Sequence, residues 1–470
     1  MKRLFSSVLL CCLLCIPAQA SNSPLAFSLH KLGDGKGGNT ILVIGGIQGD
    51  EPGGFHAASL LITHYTIENG NLWIVPNLNF LSIVNRSRGE NGDLNRKFAV
   101  ITATDPDLEV IQRIKSIIVN PQVDMVLNLH DGSGFYREQY QDDMHGPHRW
   151  GQSVIIDQEK IDAAKFPELS KIGHAVVSTV NESQDKKTAY TLKNTKTREG
   201  DEEMAKSLTY FAINEGKPAF GIEASKSLNK AQRVCSHLRV IEAFMRYAGI
   251  RFQRSFSLDV ASVERALSDN RQIAFYDNRV YLEMENIRNR VNYFPVSRKR
   301  ALDFATWNPL ITVVPSDEKL DVFHGNEKIT TLLPQYFDVD EEERQPKVRF
   351  LVDGKVVEAN MGQVVRAEKQ VTVLPLAGYR VNFIGFSQRG VRDEAGITIR
   401  EADFVRSYSL NTQGNSFRVE FYRDDAKTGR EKFAGMINVN FAGDSGAQVM
   451  AAMLPSSEII REVSIPERKK

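Results

Sequence analysis

The fold class this sequence predicts is an α/β domain with a mixed, largely parallel sheet flanked by helices, followed by two small all-β domains. Three observations carry that reading. Between residues 21 and about 250, short apolar runs alternate with stretches of helical period. From about 310 onward, short β-rich runs are separated by turn signals such as Asp353-Gly354 and Ala377-Gly378. The texture changes through a mixed, basic stretch at 255–300 and again at the acidic run DVDEEERQP, residues 338–346, which reads as a linker. A chain of 470 residues holds two or three domains at roughly 150 residues each. The expected boundaries are 21–252, 253–344 and 345–470, the last a small β-sandwich.

The first twenty residues stand apart. Lys2 and Arg3 precede an apolar run from Val8 to Ile16, and Ala18-Gln19-Ala20 completes the pattern of a secretory signal peptide cleaved after Ala20. The run is short for a membrane span. Cys11, Cys12 and Cys15 lie inside it, and none follows the small residue that a lipoprotein site uses. The remaining chain keeps only Cys235, so its stability is expected from core burial and not from disulfides. Loss of two basic residues and no acidic ones moves the formal charge from +1 to −1. Neither value suggests nucleic acid as a partner. The reading is an exported, periplasmic protein with no membrane span after cleavage.

The elements of the first domain follow in order. NTILVIGG, NLWIVPNLN, VDMVLNLHDG, SVIID and KPAFGIEAS are apolar runs ending in polar or glycine-rich turns, as strands buried on both faces do. DPDLEVIQRIKSIIVN has apolar residues at helical spacing, with Asp105 or Asp107 placed to cap it. RVCSHLRVIEAFMRYAG ends at Gly249, a C-cap residue.

Active sites of open α/β sheets lie beyond the carboxyl ends of the strands. Three such ends carry suggestive side chains. GGIQGDEPGG holds Gln48 and Glu51, LNLHDG holds His130, and FGIEAS holds Glu223. Each alone has a plainer explanation: a solvated glycine-rich turn, a structural histidine, a paired carboxylate. A fourth segment, NRSRGENGDLNRKF, crowds Arg86, Arg88 and Arg96 with Asn95 around glycines, and arginine forks suit carboxylates. Three ligands with one open position, and a Glu within reach of the water, make up a zinc hydrolase.

The series GGIQGDEPGG, GDLNR, LNLHDG and GIEAS resembles the zinc metallocarboxypeptidases of the carboxypeptidase A type, over residues 40–250. The resemblance implies that Gln48, Glu51 and His130 hold Zn2+ and that Glu223 is the general base and acid. It implies that Asn95 and Arg96 grip the terminal carboxylate of the substrate. It also implies an arginine that polarises the scissile carbonyl, placed on Arg88 with Arg86 as the near alternative. The active-site tyrosine of the family has no placed counterpart. The departure is Gln48, where the family has histidine. An amide oxygen is a weaker zinc donor than imidazole. A Gln-x-x-Glu site resembles one subgroup, the cell-shape-determining peptidoglycan D,L-carboxypeptidases of helical bacteria. That subgroup has a signal peptide, a carboxypeptidase domain and two β domains, the last immunoglobulin-like. The implied substrate is a muramyl tripeptide, cut between the γ-carboxyl of D-Glu and meso-diaminopimelate, with protein partners possible through the β domains.

The loop after His130, SGFYREQYQDDMHGPHRW, offers aromatics for a substrate wall, with Asp142 and Asp143 as acceptors for an ammonium group. His145 and His148 are not needed as ligands, and His174 and His237 read as structural. Two rival readings stay open. One is a deacylase or amidohydrolase of small N-acyl amino acids on the same fold. The other is a non-catalytic peptidoglycan-binding protein, against which the retained Glu223 and Arg96 argue.

Overall fold

The structure is a computed structural model that describes residues 23–463 except 183, 343–344, 426–428, 442–447 and 451–460. The signal-peptide segment 1–20 and the C-terminal PERKK lie outside the described residues.

The first domain runs β1 (His30–Leu32), β2 (Thr40–Ile44), α1 (Pro52–His64), β3 (Tyr65–Asn69), β4 (Asn71–Val75), α2 (Phe80–Asn85) and α3 (Leu108–Ile118). It continues with β5 (Met125–Gly132), β6 (Phe135–Tyr136), β7 (His145–Gly146), β8 (Ser153–Ile156), α4 (Leu169–Asn181) and β9 (Thr191–Asn194). It closes with α5 (Leu208–Asn214), β10 (Ala219–Ser225), α6 (Lys230–Tyr247), β11 (Arg251–Arg254) and α7 (Val260–Ala266). Seven strands form one sheet in the order β1-β4-β2-β5-β10-β8-β9. The centre is parallel, with β4, β2, β5 and β10 aligned, while β1 and β8 join antiparallel. Every residue of β2, β4, β5 and β10 is buried, which is why these runs are apolar without alternation.

The carboxyl ends of β2, β5 and β10 therefore lie side by side. Glu223 stands opposite His130 in the β10–β5 register, so the two side chains emerge together. Asp107, at the N-cap of α3, makes no side-chain cap; Asp105 accepts from its N–H instead and binds Lys97. Gly249 follows α6 at φ +74°, as its composition predicts.

The first core extends through Val263, Ala266 and Leu267 and so passes the expected boundary at 252. The middle region holds two four-stranded sheets around a second core. One of them is completed by Arg461–Val463, which pairs with Leu302–Thr306. The C-terminal region thus returns to the middle one after building its own two sheets around a third core. The acidic run at 338–346 is not a free linker where it is described. Val339 bridges to Phe433, and buried Asp340 pairs with Arg423 at 2.7 Å.

A small core of Phe55, Phe80, Ile83, Val84 and Leu310 joins the first domain to the middle one. Beside it His56 of α1 meets His324 of the middle domain, with ring centroids 5.1 Å apart. Both are buried, and neither ring nitrogen of His56 has a hydrogen bond. Burial holds both imidazoles well below their ordinary value. For His56, His324 and then Lys230, Arg271 and Arg233 add to the effect; for His324, Arg271 and Lys230 do. The folded state thus binds no proton at these sites while the unfolded chain does below about 6.5. Their contribution is whole above that pH and is lost as pH falls, by about 1.4 kcal/mol per pH unit for each histidine. Denaturant unfolding at pH 7.5 and 5.5 is expected to show a loss that is smaller in a His56→Leu variant. An identical loss in that variant contradicts the assignment.

Candidate active site

The GGIQGDEPGG turn leaves β2 and wraps against α2 before entering α1. At Gly49 a Cβ would lie 1.9 Å from the Ser82 carbonyl oxygen, so only glycine allows the approach. Pro52 opens α1, and Glu51 sits at its N-cap without using its side chain as a cap. That duty falls to Asp131, whose carboxylate accepts from Gly53 N–H at 2.8 Å. The Glu51 carboxylate is left to face the strand ends.

There it meets His130. Nδ1 of His130 lies 3.0 Å from Glu51 Oε2 and 3.1 Å from Gln48 Oε1. The Gln48 amide is turned by Asp93, which accepts from Nε2 at 2.8 Å and leaves Oε1 pointing at the imidazole. Asp93 also accepts from Arg88 Nε at 2.9 Å and from Asn95 N–H. Arg88 Nη1 reaches Glu51 Oε1 at 3.4 Å, and Lys226 lies 3.6 Å from the same oxygen. Asn95 Oδ1 accepts from Leu208 N–H, so its amide N–H2 turns into the cavity, with Nδ2 3.5 Å from His130 Nε2. Arg96 donates to its neighbour's carbonyl and pairs with exposed Glu203 at 3.3 Å.

Glu223 is nearly buried, and its Oε2 has no hydrogen-bond partner. A Cβ at Gly132 would lie 2.7 Å from that oxygen, so the glycine leaves the carboxyl its space. Burial pushes the Glu223 carboxyl up to about 8. His130 pulls it down, Glu51 and Asp131 push it up, and Lys226 pulls it down again. Gln48, Glu51, Arg88, Asn95, Arg96, His130 and Glu223 all line one cavity of about 350 Å³, with Trp150, Thr209 and Lys226.

Arg86 is not among them. It holds the left-handed position ending α2 and donates through Nε to the Asn326 carbonyl of the middle domain at 2.8 Å. The substrate role entertained for Arg86 therefore has no geometric basis, because the side chain is spent on a domain contact. Nor do Asp142 and Asp143 line the cavity: Asp142 binds His145, whose ring stacks on Phe135. His174 is exposed on α4. His237 is buried on α6 and bonds Asp131. None of the cavity-lining residues is a tyrosine.

Among the described residues no cluster of three His, Cys, Asp or Glu side chains could hold a metal. The third donor here is an amide. Whether this set fits a cation depends on the imidazole tautomer, because a ligating Nδ1 needs its proton on Nε2. Asn128 Nδ2 lies 2.8 Å from His130 Nε2, and buried Asn128 Oδ1 has no partner. Turning that amide over gives Oδ1 the Nε2–H and frees Nδ1 toward Gln48 and Glu51. The orphaned oxygen and the converging donors fit a bound divalent metal. Asp93, Asn128, Asp131 and Lys226 escaped the sequence reading, although three of them sit inside the motifs GDLNR and LNLHDG.

Residues 8–268 match the family described as the carboxypeptidase controlling helical cell shape, catalytic region, and residues 341–442 match the C-terminal domain of metallo-carboxypeptidase. The chain belongs to this family of cell-shape carboxypeptidases. No curated protein matches it. The cell shape determinant protein Csd4 from Helicobacter pylori, solved in tripeptide-bound and product-bound forms, is 36% identical. The match covers 89% of this chain and 100% of that one, with a TM-score of 0.81. A form of Csd4 bound to mDAP, described as a D,L-carboxypeptidase, matches over 86% of this chain and 97% of its own at a TM-score of 0.80. The present chain is thus a metallocarboxypeptidase by family, built as Csd4 is, with a mixed-sheet domain followed by β domains.

Proposed function

We propose that the protein is a zinc-dependent D,L-carboxypeptidase that trims peptidoglycan muramyl tripeptide to dipeptide in the periplasm. The bond cut joins the γ-carboxyl of D-Glu to meso-diaminopimelate. The observation that carries this reading is one cavity in which Glu223, its Oε2 without a hydrogen-bond partner, shares the lining with the three cation donors Gln48, Glu51 and His130 and with Arg88 and Arg96. A leader cleaved after Ala20 places the enzyme with its substrate; among the described residues no helix is long and apolar enough to cross a membrane.

A zinc ion held by Gln48, Glu51 and His130 supplies Lewis-acid activation of water and of the scissile carbonyl. Every other part falls to side chains. Asn95 and Arg96 bind the terminal carboxylate, which displaces the exposed Glu203 from Arg96. Arg88, held by Asp93 and reaching over Glu51, donates to the carbonyl oxygen as charge gathers on it. Glu223 takes a proton from the attacking water and returns it to the nitrogen of the departing diamino acid. Its raised, buried carboxyl suits both halves of that transfer. Binding and cell-shape control are attributed to this chain by the same reading, because Csd4 was solved with tripeptide and with mDAP bound. Parallel assays on muramyl tripeptide and on small N-acyl amino acids test it. Turnover of the tripeptide alone is expected; preference for the acyl amino acids favours a deacylase.

Gln48 makes a second expectation. A histidine there would bind through one nitrogen and donate its other N–H to Asp93, which is already in place. Gln48→His is expected to bind zinc roughly tenfold or more tightly in chelator competition. Equal titration by the two proteins removes Gln48 from the ligand set.

A further inference from the structure

A second cavity of about 360 Å³ shares no lining residue with the catalytic one and lies where the middle and C-terminal regions meet. Its walls include Tyr293 and Tyr408, whose rings are nearly parallel, with 15° between their planes and centroids 6.2 Å apart. Both are unusually open for tyrosines, 51% and 39% exposed. Its polar lining includes Gln335, Asn382, Ser387 and Glu420.

Two features mark this as built. Tyr293 has φ +56°, a left-handed backbone that bulky residues avoid, in a strand whose register shifts between Val291 and Phe294. A bulge re-aims a side chain, and here it turns an aromatic ring outward. The strained turn is held by Arg418, whose Nη2 donates to the Asn292 carbonyl at 2.8 Å. The second feature is Glu420, 2% exposed. Its Oε2 accepts from Tyr422, while Oε1 accepts no hydrogen bond and lies 3.2 Å from Arg418 Nε. Arg418 thus ties the presented ring to the buried carboxylate, and the pair leaves the cavity floor close to neutral.

Open aromatic faces pack on the C–H face of a pyranose, and a buried acceptor with flanking amides and a hydroxyl binds its equatorial oxygens. A neutral floor disfavours charged peptides and phosphates. We propose that this interdomain cavity is a saccharide-binding site for β-linked N-acetylated amino sugars, with Tyr293 and Tyr408 as stacking walls and Glu420 as the buried acceptor. The identity of the natural ligand as the glycan strand carrying the stem peptide rests on the function proposed above. Held there, the strand would keep the enzyme on the polymer that carries its substrate.

The test uses the full mature chain and N-acetylchitotetraose as the probe, followed by calorimetry. Binding is expected in the native protein and in Glu223→Gln. It is expected to weaken at least fivefold in Tyr293→Ala and in Tyr408→Ala, each of which keeps the native rate on free muramyl tripeptide. On intact sacculi both variants should trim more slowly. No binding of the probe by the native protein, or binding that survives both tyrosine changes, overturns the saccharide site. Loss of tripeptide turnover in the native protein is a separate result that overturns the proposed activity and leaves the binding measurement to stand.

Discussion

Glu223→Gln is expected to lower kcat on muramyl tripeptide by about 10³-fold, within the 10²–10⁴ range of general acid–base catalysis, and to leave metal content unchanged. The amide keeps the size of the carboxyl and fits the space above Gly132. It has no basic oxygen to take a proton from water and none to return to the leaving amine. Substrate affinity should persist, because the grip on the terminal carboxylate is assigned to Asn95 and Arg96. Equilibrium binding of tripeptide to the variant, beside single-turnover rates, separates the two effects. A variant that still turns over at more than a tenth of the native rate contradicts the role of Glu223. A variant that loses its metal shows that the residue serves the site in another way.

Asp131→Ala carries the largest expected cost in stability. Its carboxylate accepts from Gly53 N–H and Arg233 Nη1, each at 2.8 Å, and from His237 Nε2 at 3.1 Å. Burial opposes the charge, yet the His237 bond, the charges of His237 and Arg233 and the Gly53 bond hold this carboxyl below the usual range. Removal leaves Arg233 largely buried without its partner and opens the first turn of α1. Breaking a buried pair in this way costs about 3–5 kcal/mol. Urea unfolding of the metal-free protein should register that loss, and Asp131→Asn, which keeps part of the acceptor set, should register less. A loss below 1 kcal/mol contradicts the capping account. The change also frees the start of α1, where Glu51 is the N-cap residue, so metal affinity should fall with stability.

Much of this site was legible in the chain because strand-end chemistry leaves marks in sequence. Gln48, Glu51, His130 and Glu223 each close an apolar run, and a parallel sheet sets such ends side by side. The supporting groups leave weaker marks. Asp93 and Asp131 sit next to recognised residues, but what they orient is fixed by the third dimension: a glutamine amide 45 positions back and a helix start 78 positions back. Arg86 and Arg88 look alike in sequence, and only the left-handed end of α2 sends one to Asn326 and the other to Glu51. The Tyr293–Tyr408 pair had no signal at all, since its two halves come from different domains and one depends on a bulge. Domain limits blurred for a similar reason. The last described strand returns to the middle region, and no composition shift announces a strand that leaves one sheet for another.

The account stands most directly on muropeptide digests followed by mass spectrometry. Purified mature protein should convert muramyl tripeptide to dipeptide with release of meso-diaminopimelate. A chelator should stop the conversion, and added zinc should restore it. Conversion that continues undiminished in chelator, or trimming of longer stems in place of the tripeptide, would contradict the assignment of Gln48, Glu51, His130 and Glu223 as a metal-dependent D,L-carboxypeptidase centre.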